Sequence, residues 1–291
     1  MGKIARHVVF NPAANKGRAT SWRVEISRSL AGGGEVIWHV TEGPRHAGRI
    51  VSDLPDDALV IAAGGDGTIH EVAAACAGTG RTMGVLPVGS GNDYVKALGV
   101  GTRLRQALEV LAAGKVRTVD VGEVNGIRFN NGLGIGFDAE VAAGVTEAPR
   151  YLGGFGGYLW SVARLLLGFE CHEATLTLDG ERVEARTILV AVALGTTYGA
   201  RFRLAPEARL DDGLFDVIWS EEVNRAEVLR LIPMALNGTL LRSPKVHMIR
   251  AREVGVEMAK SVPAHVDGEI LAPTRSFRVR VLQGALRIVA P

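Results

Sequence analysis

Cysteine and long apolar runs are scarce in this sequence, and each shortage excludes a class of protein. The two cysteines, Cys76 and Cys171, lie far apart, so neither a disulfide framework nor a zinc site is expected. No stretch reaches the ~18 uninterrupted apolar residues of a membrane-spanning helix. The N-terminal residues lead into a strand without a signal-peptide core. We therefore expect a cytoplasmic protein.

Charge of one sign is also scarce. Lys and Arg number 33 against 31 for Asp and Glu, a net charge of +2, so bulk electrostatics does not support a nucleic-acid partner. The mean hydropathy of +0.17 is slightly apolar for a cytoplasmic protein. A chain of 291 residues is long enough for two domains.

The first part of the chain alternates strand-like and helix-like patterns. Apolar runs such as IARHVVF (4–10) and ALVIAA (58–63) read as strands, and the spacing over 18–30 and 104–114 predicts helices. Alternation of this kind predicts a parallel sheet with helices on both faces. The first domain is thus an α/β domain, which we place at residues 1–122.

The pattern changes near residue 116. Most later segments alternate apolar and polar residues between Gly and Asp turns, which predicts antiparallel strands. Two helical segments interrupt them, near 151–168 and 224–236, and Asn224 and Glu227 have the spacing of a capping box. We place this β-rich domain at residues 123–291, with the last residues returning to the first domain.

The stretch GGDGTIHEV (64–72) follows a predicted strand and leads into a helix. Its glycines allow a ligand to approach the backbone, and Thr68 and Glu71 have the spacing of a capping box. A helix N-terminus suits phosphate. Asp66 beside a polyphosphate makes sense if Mg²⁺ lies between them or if Asp66 accepts a proton from an attacking hydroxyl. The alternative is a structural turn in which Asp66 caps a neighbouring element.

A second glycine loop has the same character. LPVGSGNDYV (86–95) leaves the next strand, and Ser90 and Asp93 repeat the capping-box spacing. Ligands of α/β sheets bind outside the carboxyl ends of the strands, where both loops are expected. NPAANKGRA (11–19) follows the first strand and offers further donors to an anion. No Walker P-loop is present, and GLGIGFDAE (132–140) is interpreted as a structural turn that could line a site.

The second half contains two acidic clusters and one apolar segment. ARLDDGLFDV (208–217) groups acidic residues around a glycine turn. In HVDGEIL (265–271) a hairpin explains Asp267 and Gly268 and leaves Glu269 without a structural role. The segment 151–170 is mostly apolar and is interpreted either as a buried helix or as a wall for a lipid chain.

Six of these stretches occur in the order found in the diacylglycerol-kinase catalytic family: NPAANKG, GGDGTIHEV, LPVGSGNDYV, NGLGIGFDAEV, ARLDDGLFDV and HVDGEIL. The chain resembles bacterial soluble lipid kinases of the diacylglycerol and phosphatidylglycerol type, which are related to sphingosine kinases. The resemblance covers nearly the whole chain. GGDGT is shared with NAD kinases, whereas the GSGND loop with the late DGE is more specific. The resemblance implies a Rossmann-like, NAD-kinase-like first domain, a C-terminal antiparallel β-sandwich, and a cleft between them.

The resemblance also implies roles for individual residues. Asp66 would act through Mg²⁺, and Glu269 would be the general base that takes the proton of the lipid hydroxyl. Asp212 and the backbone carbonyls of Arg209 and Leu214 would hold a second, structural Mg²⁺. The nucleotide site would be lined by Asn11, Thr41, Gly64, Gly65, Asp66, Gly67, Thr68, Ile69, His70 and Ser90, with Asp93 near Asp66. Two positions depart from the family: His70 replaces the usual Asn, and Ser90 replaces a common Thr.

We therefore expect a kinase that uses ATP and Mg²⁺ to phosphorylate a lipid hydroxyl, such as that of diacylglycerol or phosphatidylglycerol. Its partner would be a lipid presented at a membrane surface, which it contacts transiently, and a homodimer is compatible with the sequence. Three alternatives remain open: a NAD kinase, a sphingoid-base kinase, and a non-catalytic lipid- or nucleotide-binding protein. The last would be expected to lack Asp66 or Glu269, and both are present.

Overall fold

The chain divides into two compact units in the computed structural model. Unit 1 comprises Met1–Val121 with Gln283–Pro291, and unit 2 comprises Gly122–Leu282. The structure describes residues 5–145, 147–149, 152–166, 168, 170–199 and 201–291.

Unit 1 is built on a parallel sheet with the strand order β2–β1–β3–β4, and the end of β14 pairs with β4. Every residue of β3 and β4 after the first is buried, as expected for parallel strands covered on both faces. The strands are β1 (Arg6–Phe10), β2 (Val36–Val40), β3 (Leu59–Gly64), β4 (Thr82–Pro87) and the end of β14 (Glu269–Val289), a strand that begins in unit 2. The parallel sheet predicted from the alternating pattern is confirmed.

The helices of unit 1 follow the predicted order. They are α1 (Arg23–Leu30), α2 (His46–Ser52), α3 (Asp66–Cys76), α4 (Asp93–Ala97) and α5 (Leu104–Ala113). The helix predicted over 18–30 begins as 3₁₀ turns over Ala14–Trp22, and only α1 is α-helical. Gly114 closes α5 in the left-handed conformation.

The predicted capping box of Thr68 and Glu71 is wrong. Helix α3 begins two residues earlier, with Gly65 at its N-cap. The Thr68 hydroxyl instead accepts a hydrogen bond from the Asn11 amide (3.0 Å). The Glu71 carboxylate accepts the N–H groups of Arg45 (2.8 Å) and Gly48 (3.3 Å), around the start of α2.

Unit 2 consists of antiparallel strands, as predicted. Strand β13 pairs with β8 along its first part and with β7 along its last part, so it joins two groups of strands. One group has the order β12–β11–β10–β7–β13, and the other contains β8 and β9. The strands are β5 (Val116–Val124), which begins in unit 1 and ends in unit 2, and β6 (Ile127–Phe129), β7 (Gly132–Gly136), β8 (His172–Leu178), β9 (Glu181–Thr187), β10 (Leu189–Ala193), β11 (Phe215–Ser220), β12 (Val246–Ala251) and β13 (Glu253–Val266).

The helices of unit 2 are α6 (Phe137–Val145), α7 (Gly153–Leu165) and α8 (Arg225–Asn237). The stretch 132–140, interpreted above as a structural turn, is instead strand β7 followed directly by α6. Gly136, at the junction, has a φ of +85°, which favours glycine.

Helix α7 lies within the apolar segment 151–170, of which residues 151, 167 and 169 lie outside the described part of the chain. Val162 and Leu166 are buried against Phe137 and Val141 of α6. These contacts are those of a buried helix, whereas Leu159 on the same helix is 38% exposed. Among the described residues, no helix is both long and apolar enough to cross a membrane.

The predicted capping box at the start of α8 is confirmed. The Asn224 side chain accepts the Glu227 N–H (3.1 Å), and the Glu227 carboxylate accepts the Asn224 N–H (2.7 Å).

We predict that Asn224→Ala lowers the free energy of unfolding by about 1 kcal/mol, because an N-cap acceptor is lost. Urea-induced unfolding measures the change, with Asn224→Asp as a control that keeps the acceptor. Equal unfolding midpoints for Asn224→Ala and the unmodified chain would contradict the prediction.

Candidate active site

The predicted nucleotide-site residues of unit 1 follow the carboxyl ends of neighbouring parallel strands. Asn11 comes after β1, and its N–H donates to the Ala63 carbonyl in β3 (3.0 Å). Thr41 comes after β2 and is buried, and its N–H donates to the Phe10 carbonyl (2.9 Å). The Asn11 amide reaches Thr68 at the start of α3. The ends of three strands are therefore tied together at one edge of the sheet.

The two glycine loops contact each other through their backbones. The Val88 N–H donates to the Gly64 carbonyl (3.1 Å). A Cβ at position 89 would overlap with the Cα of Gly65. Only glycine allows so close an approach here, so the two loops form one continuous backbone surface.

Asp66 joins the two loops. Its carboxylate accepts the N–H groups of Asn92 and Asp93, both at 2.7 Å. The alternative considered above, that Asp66 caps a neighbouring element, therefore describes its position correctly. The capping box predicted for Ser90 and Asp93 is wrong, because the N-cap residue of α4 is Asn92, whose side chain makes no capping hydrogen bond. Asp66 supplies the acceptor instead.

Burial and the nearby Asp93 carboxylate both disfavour the negative charge of Asp66. Burial raises the pKa of Asp66, and the nearby Asp93 carboxylate raises it further, whereas the two backbone N–H groups act to lower it. The Asp93 carboxylate accepts a hydrogen bond from the Lys96 ammonium group (2.9 Å). A divalent cation beside the two carboxylates would relieve their repulsion, and oxygen ligands of this kind suit Mg²⁺.

The other predicted nucleotide-site residues differ in accessibility. Ser90 is exposed, and Gly67 and His70 are partly buried. Ile69 is fully buried, and its N–H donates to the Gly65 carbonyl (3.0 Å). The side chain of Ile69 therefore belongs to the core of unit 1.

In unit 2 the predicted hairpin at Asp267 and Gly268 is present. The two residues have φ values of 51° and 91°, and Glu269 pairs with Val266. Glu269 is exposed. The Asp267 carboxylate accepts three backbone N–H groups at 2.8–2.9 Å, those of Asn130, Asn131 and Gly132. Asp267 thus fastens the turn to the start of β7.

The acidic side chains around Gly213 each contact a different partner. The Asp212 carboxylate accepts the Leu214 N–H (3.1 Å), and Arg209 pairs with Asp211. Asp216 is buried and pairs with Arg250 (2.9 Å). Within the described ranges, no group of three or more His, Cys, Asp or Glu side chains could hold a metal ion. Of the three residues that the resemblance assigns to a second Mg²⁺, only Asp212 offers a carboxylate, and Arg209 and Leu214 would contribute backbone carbonyls.

Sequence reasoning missed an apolar cavity in unit 2. Its volume is ≈ 100 Å³, comparable with the ~150 Å³ apolar cavity that binds benzene in an engineered protein. The polar residues of its wall include Asp138 and Ser220, which bond to His265 and Thr187. Helix α8 and the neighbouring strands supply much of the lining, including Phe202, Ile218, Val228, Leu231, Ile232 and Ala235.

Sequence reasoning also missed a buried pair beside the hairpin. His265 Nε2 lies 2.9 Å from the Asp138 carboxylate, and both side chains are buried. Burial acts to lower the pKa of His265, but the carboxylates of Asp138 and Asp267 outweigh it and raise the pKa. The glycines of GLGIGFD were the available signal, because a Cβ at Gly134 would overlap with both His265 and Asp138.

Two family models match this chain and together cover most of it. A diacylglycerol kinase catalytic domain matches residues 6–124, and a YegS C-terminal NAD kinase beta sandwich-like domain matches residues 132–290. A diacylglycerol kinase of Bacillus subtilis is 29% identical over 90% of this chain and 88% of its own length. A YegS-like lipid kinase of Pseudomonas aeruginosa is 31% identical over 92% of this chain and 89% of its own length.

Solved structures give the same fold. A diacylglycerol kinase of Bacillus anthracis str. Sterne is 20% identical to this chain and matches it with a TM-score of 0.77. A second structure from the same organism is 24% identical and matches with a TM-score of 0.82. Each match covers 99% of this chain and 97% of the neighbour. The predicted combination of a parallel sheet and an antiparallel β-sandwich is thereby confirmed. The resemblance predicted from the six motifs is confirmed as well, and the chain belongs to the bacterial lipid kinases of the diacylglycerol kinase catalytic family.

Proposed function

We propose that this chain transfers the γ-phosphate of ATP to the hydroxyl of diacylglycerol in a reaction that depends on Mg²⁺. The observation that carries the proposal is the Asp66 carboxylate, held by two backbone N–H groups where the glycine loops meet. Phosphoryl transfer depends mainly on positioning and on neutralising charge. Backbone N–H groups of glycine loops and a metal ion are suited to both tasks.

ATP binds at the carboxyl edge of the unit 1 sheet in this proposal. Its phosphates lie along the glycine loops, where Gly65 and Gly67 are partly exposed and follow the buried Gly64. Mg²⁺ bound near Asp66 and Asp93 would neutralise charge on the transferred phosphate, and Ser90 offers a hydroxyl to the phosphates. The proposed lining also includes Asn11, Thr41, Thr68, Ile69 and His70.

Diacylglycerol is proposed as the acceptor for two reasons. The Bacillus subtilis relative is named a diacylglycerol kinase. In addition, unit 2 contains an apolar cavity that suits part of an acyl chain. A lipid acceptor also entails transient contact with a membrane surface by an otherwise cytoplasmic protein. A homodimer remains a prediction from the sequence.

Glu269 is proposed as the general base. An alcohol is a poor nucleophile at neutral pH, and a positioned carboxylate that takes its proton assists attack on the γ-phosphorus. Glu269 is exposed and directly follows the hairpin turn. The Asp267 carboxylate accepts the three backbone N–H groups that hold this turn in place. A second, structural Mg²⁺ is proposed at Asp212 with the carbonyls of Arg209 and Leu214.

We predict that Asp66→Asn lowers kinase activity by more than about 100-fold, because metal-assisted charge stabilisation is worth several kcal/mol. The fold should persist, since an amide oxygen can still accept one of the two N–H groups. Turnover with ATP and diacylglycerol vesicles measures the loss, and circular dichroism checks the fold. Asp57→Asn, at an exposed position of unit 1, is the matched control. Activity within about tenfold of the unmodified enzyme would rule out the Mg²⁺ role.

We predict that Glu269→Gln lowers kcat by about 10²–10⁴-fold, the usual contribution of a general base. The affinity for ATP should be unchanged, and kcat and kcat/KM should fall together because the loss is confined to the transition state. Steady-state kinetics and nucleotide titration measure these effects. Glu253→Gln, an exposed carboxylate on the same hairpin, serves as the control. A raised KM for ATP with unchanged kcat would instead identify Glu269 as a nucleotide-site residue.

We predict that Ala235→Leu selectively impairs long-chain substrates, because the added side chain would occupy the apolar cavity. The loss of kcat/KM for long-chain diacylglycerol should reach roughly tenfold or more, as expected when at least one methylene group loses its pocket. A short-chain diacylglycerol should be phosphorylated nearly as before. Ala226→Leu, exposed on the same helix, is the control. Equal losses for both chain lengths would show that the cavity does not receive the acyl chain.

A further inference from the structure

The buried pair of His265 and Asp138 has no task in the reaction as described so far. The two residues are only 5% and 7% exposed. Removing an imidazole and a carboxylate from water costs several kcal/mol, and such a pair often adds little net stability compared with apolar side chains. A pair buried at this cost points to a positioning role.

The hydrogen bonds of His265 define the state of its ring. Nδ1 accepts the N–H of Gly268 (3.2 Å), and Nε2 lies 2.9 Å from the Asp138 carboxylate. A backbone N–H can only donate, so Nδ1 carries a lone pair and the proton lies on Nε2, directed at Asp138. A second proton, which the nearby carboxylates favour, would break the bond from Gly268. The hydrogen bond from Gly268 needs the neutral ring, whereas Asp138 and Asp267 outweigh burial and raise the pKa of His265, so the contact is complete only above that pKa.

Three elements of unit 2 are arranged around this pair. Asp138 lies in the first turn of α6, and His265 lies in β13 directly opposite Gly134 of β7. A side chain at position 134 would overlap with both polar groups. The backbone thus leaves room for the pair at the position where two strands and a helix meet.

The pair holds one side of the turn that precedes Glu269. Asp267 fastens the other side through three backbone N–H groups. Gly268 is exposed, so water could satisfy its N–H, and an Asp-Gly hairpin turn is favourable on its own. The bond to His265 is therefore not needed to complete the hydrogen bonding of the turn. Its effect is to restrict the orientation of the backbone that carries Glu269.

We propose that His265 is a positioning residue which, oriented by Asp138, holds the Asp267–Gly268 turn so that the Glu269 carboxylate is aimed at the lipid hydroxyl. This inference rests on the proposed role of Glu269 as the general base. The chain of contacts runs from the Asp138 carboxylate through the imidazole to the Gly268 N–H, one residue before Glu269.

Two amide substitutions of His265 separate positioning from stability. His265→Gln retains a donor at the place of Nε2 and removes the acceptor for Gly268. His265→Asn retains an acceptor near Nδ1 and removes the donor to Asp138. We expect His265→Gln to lower kcat by about 10–100-fold with unchanged KM for ATP and lipid, as for other residues that orient a functional group. We expect His265→Asn to lose less kcat but more thermal stability, because buried Asp138 loses its imidazole donor.

The losses of kcat and of thermal stability in the two variants, compared with each other, decide between a positioning role and a purely structural role for His265. His247→Gln, a half-exposed histidine of β12, is the control and should leave kcat and KM unchanged. A kcat of His265→Gln within about twofold of the unmodified enzyme would overturn the proposal. A fall in kcat that follows the fall in melting temperature in both variants would also overturn it, since that result indicates a purely structural role.

A double-mutant cycle distinguishes this inference from the proposed function. If His265 acts through Glu269, then adding His265→Gln to Glu269→Gln costs no further kcat, because residues that act as a unit are not additive. Fully additive losses would overturn the positioning role and leave Glu269 as the base. An unchanged kcat in Glu269→Gln alone would overturn the general-base role and, with it, this inference.

The ring state can be measured without any substitution. At a pH above the raised pKa of His265, nitrogen NMR of the imidazole should show an unprotonated Nδ1 and a protonated Nε2 in the native enzyme. The opposite tautomer in that pH range would remove the acceptor for the Gly268 N–H and overturn the proposal.

Discussion

The acceptance of two backbone N–H groups by one carboxylate fixes the arrangement of the candidate nucleotide site. Asp66 lies in the first glycine loop, which follows β3. Its carboxylate accepts the N–H groups of Asn92 and Asp93 at the end of the second loop. The close approach of the two loops requires glycine at position 89, where a Cβ would overlap with the Cα of Gly65. Charge-assisted hydrogen bonds of this kind are short and strong, so the two loops are held in one relative position. The candidate phosphate-binding surface of unit 1 depends on that position.

Much of unit 1 could be predicted from local patterns, and the errors have a common cause. The parallel sheet follows from the alternation of apolar runs and helices, and the two glycine loops follow from the residues after the strands. The capping box predicted at Ser90 and Asp93 failed because Asn92 is the N-cap residue of α4, and the box at Thr68 and Glu71 failed because its residues have partners elsewhere in the fold. Thr68 bonds to Asn11, and Glu71 bonds to the backbone around the start of α2. A spacing rule considers only neighbours in sequence, whereas a side chain bonds to whichever partner the tertiary structure brings near.

The same limit applies more strongly to unit 2. The hairpin at Asp267 and Gly268 was predictable because a two-residue turn is encoded in its own two residues. The pair of His265 and Asp138 was not, because its members lie 127 residues apart. The apolar cavity is lined by residues from 137 to 246 and has no motif of its own. Only the glycines of β7 carry a trace of the pair, as positions where a side chain would not fit.

In both units a carboxylate accepts backbone N–H groups beside a proposed reacting group. The units differ in whether one residue or two have the structural and the chemical roles. In unit 1 the structural acceptor and the proposed Mg²⁺ ligand are the same residue, Asp66. In unit 2 Asp267 is the acceptor, and the proposed base is its near neighbour Glu269. A change at Asp66 therefore alters the loop arrangement and the local charge together. In unit 2 the two tasks lie on separate side chains, so Glu269 can be changed while the turn that carries it stays fastened. The kinetic effect of Glu269 is for this reason the easier of the two to interpret as chemistry.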